Sequence, residues 1–196
     1  MAGVRCFVGL PLPKDAQAGL ERVVLRLSGQ LASRISWTRP GNWHLTLKFL
    51  GDVAEERLPG LIQALGGVAF APLPLAVGRA GFFPSAGRGG PKGLWAELRL
   101  GGPECARLAA AVERALEPLG FAPEKRPFAP HLTLGRVKDA APGDDWTLVD
   151  RALAAESWPV GEVDRFVLWR SALGPGGPQY FRLAEFGVGR GASGIL

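Results

Sequence analysis

The sequence predicts an α+β fold of two similar lobes, each with an antiparallel sheet and helices, facing each other across a cleft. Three observations carry this expectation. Strand-like and helix-like segments follow the order β-α-β-β-α-β-β-α-β-α-β-β, without the regular βα alternation of a parallel sheet. The 196 residues, 47% of them hydrophobic, suffice for one sizeable core. The phrase His-Leu-Thr-Leu occurs twice, at 44–47 and 131–134, in a chain with only two histidines. With four threonines in 196 residues, both histidines would have one at +2 in about one random chain in 2,400. The repeat therefore predicts two copies of one strand environment within a single domain covering residues 1–196.

Each element has a local reason. Arg5 to Leu10 is an apolar, strand-like run ended by Pro11 and Pro13. Leu20, Val23, Val24, Leu27 and Leu31 recur at helical spacing, which predicts a helix over 13–31 with Pro13 near its first turn. Ile35 to Thr38 reads as a short strand, Pro40-Gly41-Asn42 as a turn, and Trp43 to Leu50 as a strand closed by Gly51-Asp52. A second helix is expected over Glu55 to Leu65, before Gly66-Gly67. Strands follow at Leu73 to Phe82 and Leu94 to Leu100, and an amphipathic helix at Pro103 to Leu119. The second motif strand, His131 to Val137, is followed by a helix at Asp144 to Ala155. Two strands, Val163 to Leu173 and Gln179 to Phe186, enclose a Gly-Pro loop, and the tail from Gly187 is expected to fray.

Composition narrows the partners. Basic residues outnumber acidic ones 23 to 18, with a pI near 9.8. That balance favours a polyanionic partner without fixing it. Eighteen of the 23 are Arg, the side chain suited to bidentate phosphate contacts. Cys6 and Cys105 stand apart in apolar surroundings and read as buried free thiols in a reducing compartment. No signal-peptide run opens the chain, and no apolar run is long enough to span a membrane. A cytoplasmic protein with no membrane partner is expected. The Gly-rich stretch from Pro84 to Pro91 lacks the Gly-Lys-Ser/Thr of a phosphate-cradling loop and reads as a surface loop.

The motif carries the chemistry. Side chains alternate faces along a strand, so His44, Thr46 and Lys48 share one face while Leu45, Leu47 and Phe49 share the other. His131 and Thr133 are set against Leu132 and Leu134 in the same way. Two such strands brought together offer two imidazoles and two hydroxyls to one cleft. Histidine shuttles protons near neutral pH, and two in opposite protonation states act as general acid and general base. The threonine hydroxyls can donate to oxyanions, and Lys48 and Arg136 add positive charge. This set suits cleavage of a phosphodiester without a metal. Two histidines with no nearby Cys, His-x-x-x-His or acidic cluster fall short of a three-ligand zinc site, so no cofactor is expected. Pure binding would need cations and aromatics but not two imidazoles in duplicate frames.

At these residues the chain resembles the 2H phosphoesterase superfamily, and within it the bacterial and archaeal RNA 2′,3′-cyclic phosphodiesterases, also called 2′-5′ RNA ligases. The resemblance runs through Arg5 to Leu10, Asn42 to Gly51, Phe82-Phe83-Pro84, Arg126 to Arg136, and Ser171 to Phe186. It implies a bilobal α+β fold with a central cleft and no metal. It also implies hydrolysis of an RNA 2′,3′-cyclic phosphate end, tRNA fragments included, to a 2′-phosphate, and reversible joining of RNA through a 2′-5′ linkage. By this resemblance His44 is the proton donor to the departing 3′-oxygen and His131 the proton acceptor from the attacking water. Thr46 and Thr133 bind the non-bridging oxygens, Arg136 supplies the cation, Phe7 lines the nucleobase side, and Arg126 contacts the RNA backbone. A monomer is expected. The Pro84–Pro91 loop departs from the family pattern and bears on which RNA is taken. A non-catalytic module holding RNA 3′ ends and a 2H enzyme for another cyclic phosphate are the rival readings.

Overall fold

Apolar alternation builds the strands, and the first of them sets the frame. In β1, Val4–Pro11, the side chains of Val4, Cys6, Val8 and Leu10 enter the core, while Phe7 lies on the opposite face. The computed structural model describes residues 3–84, 90–174 and 177–187, with residues 190–194 described by backbone alone. The elements after β1 are α1 (Lys14–Ser28), β2 (Arg34–Trp37), β3 (His44–Val53), α2 (Leu58–Gly66), β4 (Leu73–Phe83) and β5 (Gly93–Leu100). Next come α3 (Gly102–Leu116), β6 (His131–Asp139), α4 (Thr147–Ala154), β7 (Gly161–Val163), β8 (Arg165–Gly174), β9 (Gly177–Gly187) and β10 (Arg190–Gly194). The amphipathic helices bury the stripes expected of them: Leu20, Val23 and Leu27 on α1, and Cys105, Leu108, Val112 and Leu116 on α3.

These elements form two five-stranded sheets, β10-β9-β8-β1-β3 and β2-β6-β5-β4-β7, with antiparallel pairing throughout the described registers. The α+β, two-lobed expectation is met. The lobes are not successive halves of the chain, however. Helix α3 lies against β3 and α2 of the first sheet, whereas α1 packs on α4 and α4 on β4 of the second. The leucine faces of both sheets enter one continuous core, in which Leu45, Leu47, Leu132 and Leu134 are all buried.

Three element boundaries differ from the sequence reading. Gly51-Asp52 does not close β3, because Gly51 adopts φ +70° inside a bulge and lets the strand run on to the buried Val53. The run expected as one strand from Val163 breaks at Asp164. Residues 161–163 pair with β4 while 165–174 pair with β1 and β9, so this segment passes from one sheet to the other. The tail does not simply fray: Arg190–Gly194 adds to the open edge of β9, whose backbone groups would otherwise lack partners. Residues 85–89 of the Pro84–Pro91 loop lie outside the described residues.

Both motif strands bulge at the same place. On β3, Val8 pairs with Lys48 and Gly9 with Thr46, leaving Leu47 as the extra residue. On β6, Leu94 pairs with Gly135 and Trp95 with Thr133, leaving Leu134 as the extra residue. One inserted residue reverses the facing of the residues that follow it, up to the next bulge. Lys48 and Gly135 therefore turn inward, while Phe49 and Arg136 turn outward. Gly135 packs beneath β2, where an added methyl would stand 2.8 Å from Ile35 Cγ2 and 3.0 Å from Trp37 Cε3. Gly135→Ala is thus expected to lower stability by about 1–3 kcal/mol. The measurement is the denaturant midpoint at unchanged slope, and an unshifted midpoint would contradict this packing.

Candidate active site

Each histidine is oriented by a main-chain carbonyl two residues before it. His44 Nδ1 lies 2.7 Å from the Asn42 carbonyl, and His131 Nδ1 lies 2.9 Å from the Ala129 carbonyl. A carbonyl only accepts, so in both rings Nδ1 carries the proton and Nε2 is left to exchange one. The same device occurs in both lobes although the residues that supply it, Asn and Ala, differ. That is possible because the backbone makes the contact.

Aromatic rings seat each imidazole. Phe7 lies 4.6 Å from His44 between ring centroids, Tyr180 approaches edge-on at 5.0 Å, and Trp169 at 6.1 Å. His131 is flanked by Phe83 at 5.3 Å and Trp95 at 5.8 Å, both edge-on. Asn42 ties the first seat together, because its Nδ2 donates to the Pro178 carbonyl and so holds the β8–β9 hairpin that carries Tyr180. Burial pushes His44 down to about 4, against the hydrogen bond to the Asn42 carbonyl, which favours the imidazolium; charge on His131 pushes it down further. Strands β3 and β6 pack against each other, which brings the two motif strands side by side.

Thr46 and Thr133 stand half-buried on the same strand faces as the histidines. On the second strand the backbone behind Thr133 is braced from β2's end, with Thr38 Oγ1 donating to the Thr133 carbonyl and Thr38 N to the Leu134 carbonyl, both at 2.8 Å. Arg136, turned outward by the bulge, is exposed, and its charge reaches Tyr180 of the other sheet. There it opposes the desolvation that raises the phenol. The structure thus brings both histidines, both threonines and Arg136 to one cleft.

Two expected residues are placed otherwise. Lys48 does not face the cleft: it is only 3% exposed, and Nζ donates to Glu113 at 2.7 Å and to the Ala122 carbonyl at 2.8 Å. The bulge at Leu47 is the reason, since strict alternation would have put Lys48 beside Thr46. Phe7 is on the cleft side, but at 2% exposure it lies beneath His44, Trp169 and Tyr180 and supports the imidazole rather than presenting a face to a base. Arg126 is exposed in the loop before His131. The residues that sequence reasoning missed are Asn42, Phe83, Trp95, Trp169 and Tyr180. Tyr180 is the chain's single tyrosine, which was a usable signal, whereas the carbonyls of Asn42 and Ala129 leave no signature in residue type. Among the described residues, no three His, Cys, Asp or Glu side chains gather as metal ligands.

A family model described as LigT like phosphoesterase matches residues 10–92 and 101–180. The chain belongs to the LigT-like phosphoesterase family. An Archaeoglobus fulgidus RNA 2′,3′-cyclic phosphodiesterase is 35% identical over 183 residues, covering 93% of this chain and 99% of that protein. A Thermus thermophilus protein of the same name is 34% identical over 196 residues, covering 94% and 90%. A crystal structure of a Thermus thermophilus protein superposes with a TM-score of 0.75 at 28% identity, covering 94% of this chain and 97% of that one. Escherichia coli LigT complexed with 3′-AMP shares the fold at a TM-score of 0.72 and 22% identity, covering 96% and 99%. The LigT-like fold is therefore present over nearly the whole chain.

Two outcomes follow from this geometry. His44, about 6.5 when solvated and about 4 in the fold, makes the unfolded chain the better proton binder between those values. Stability contributed by neutral His44 is full above about pH 6.5 and is lost as pH falls towards 4. Denaturation of His44→Gln across that window is expected to show a flatter pH dependence than the parent. Separately, Lys48→Ala strands the Glu113 carboxylate and is expected to cost about 3 kcal/mol, discounted from the fully buried case because Glu113 is partly exposed. Midpoint denaturation reads this loss, and an unshifted midpoint would contradict the pairing.

Proposed function

We propose that the protein hydrolyses the 2′,3′-cyclic phosphate end of RNA to a 2′-phosphate by metal-independent acid–base catalysis. The observation that carries this reading is the pair of imidazoles held by the same carbonyl device, each with Nε2 free, in one cleft with two hydroxyls and an arginine. The names of the relatives support RNA 2′,3′-cyclic phosphodiesterase chemistry for this chain as well.

In this mechanism a water attacks phosphorus in line with the 3′-oxygen. His131 Nε2 takes the water's proton as the P–O bond forms, and His44 Nε2 gives its proton to the 3′-oxygen as that bond breaks. Thr46 and Thr133 donate to the non-bridging oxygens, and Arg136 faces the charge that grows on them. His44 is neutral in the empty cleft at neutral pH, so its donor role depends on the anionic phosphate, which favours the imidazolium once bound. With the 5′-hydroxyl of a second RNA end in place of water, the same transfers join RNA ends through a 2′-5′ linkage, the 3′-oxygen again leaving with the proton from His44. Arg126 contacts the RNA backbone in this reading, and the natural substrates include tRNA fragments. The reaction is placed in the cytoplasm, with which two buried free thiols are consistent, and in a monomer. Among the described residues no helix is long and apolar enough to cross a membrane.

The test is incubation with an RNA ending in a 2′,3′-cyclic phosphate and identification of the product. A 2′-phosphate is expected, and a 3′-phosphate or no turnover would overturn the proposal. His44→Ala and His131→Ala should abolish turnover in folded protein, and Thr46→Ala or Thr133→Ala should lose about 10²–10³ in kcat. The pH profile separates free enzyme from complex. The limb due to His44 should fall near pH 4 in kcat/KM and at higher pH in kcat. Coincident limbs would remove His44 from the donor role.

A further inference from the structure

Past the cleft, β6 and β2 of the second sheet carry exposed positive charge. On β6 the outward residues after the bulge are Arg136 and, two positions on, Lys138, both exposed. On β2, Ser36 stands directly across from Arg136, and Arg34 lies two residues beyond it, also exposed. Ile35, Trp37 and Val137 pack against the core, which turns Ser36 and Arg136 outward, and Lys138 is the extra, exposed residue of a further bulge between the Ile35–Val137 and Arg34–Asp139 pairs. Among the described residues, none of Arg34, Arg136 and Lys138 enters an ion pair. Asp139, across from Arg34, enters none either. These cations are therefore not consumed by the fold. In the first sheet the position matching Arg136 holds Phe49, 62% exposed, and no described strand lies along the far edge of β3 to match β2.

We infer that Arg34 and Lys138 extend the site as a track for the sugar–phosphate backbone of single-stranded RNA leading up to the cyclic end. This rests on the cyclic phosphodiesterase reading above. The track begins at Arg136, the cation beside the reacting phosphate, and continues outward along β6 and β2. Two residues of a strand span about 6.6 Å, close to one nucleotide step of an extended chain. Exposed, unpaired Arg and Lys bind phosphates with little regard to base, so the track selects for length and not for sequence. Its consequence is a preference for RNA polymers over cyclic mononucleotides.

The experiment uses the full-length protein and the double variant Arg34→Ala/Lys138→Ala. Neither residue belongs to the reacting centre. The substrates are an oligoribonucleotide ending in a 2′,3′-cyclic phosphate and cytidine 2′,3′-cyclic phosphate, with anisotropy binding of the unreactive 3′-hydroxyl oligomer as a separate reading. The double variant should raise KM for the oligomer and weaken its binding roughly tenfold, at unchanged kcat. It should also flatten the dependence of log binding on log salt by about 1.4. Hydrolysis of the mononucleotide should not change. Unaltered oligomer binding and salt slope would overturn the track, as would equal losses on both substrates. Displacement of the oligomer by polyglutamate at the same charge concentration would overturn RNA as its occupant. If the parent hydrolyses neither substrate but the binding difference stands, the catalytic reading falls and the track survives.

Discussion

One extra residue in each motif strand governs what the cleft contains. The bulges at Leu47 and Leu134 follow directly after the histidine and threonine of each copy. They leave His-x-Thr facing the cleft and reverse the facing of the residues beyond. In the second lobe this turns a glycine inward and an arginine outward. In the first lobe it turns a lysine inward and a phenylalanine outward. The duplicated part of the site is thus the part before the bulge, and the lobes diverge after it. The result is a symmetric pair of imidazoles on strands that differ beyond the bulge, with an exposed arginine on β6 and an exposed phenylalanine on β3.

The buried Lys48 shows how that asymmetry is accommodated. Its ammonium is taken up by Glu113 and by the Ala122 carbonyl, which tie β3 to α3 and to the segment leading towards His131. Such a pair stabilises little on balance, since desolvation offsets most of the attraction. What it does provide is a fixed relation between the strand bearing His44 and the chain entering the strand bearing His131. The aromatic seats work to the same end, limiting the rotation of imidazoles whose Nδ1 atoms are already pinned by carbonyls.

Much of this was legible in the sequence, and the failures have physical causes. Strand and helix periodicity gave the element order because burial on one face imposes it. His44, Thr46, His131 and Thr133 were found because the repeat is written in residue types. Lys48 was misplaced because alternation holds only while pairing is regular, and a bulge is a property of two strands together. Phe7 was placed on the correct face, but its burial depends on Trp169 and Tyr180, which arrive from strands more than 150 residues away in the chain. The pairing of β2 with β6 and of residues 190–194 with β9 was likewise invisible, because short polar strands acquire their meaning from the edge they meet.

The way the chain alternates between the sheets has a mechanical consequence. It leaves the first sheet for α1 and β2, returns for β3 and α2, leaves for β4 and β5, returns for α3, and crosses again to reach β6 and once more between β7 and β8. A hinge needs two bodies joined at few points, and these two are stitched together at many. Rigid-body closure around a substrate would have to stretch most of those crossings at once. The spacing of the two imidazoles is therefore a fixed dimension of the folded chain, and adjustment to different substrates falls to side chains and loops. Neither sheet can be excised as a folding unit, because each depends on helices delivered by segments that begin or end in the other.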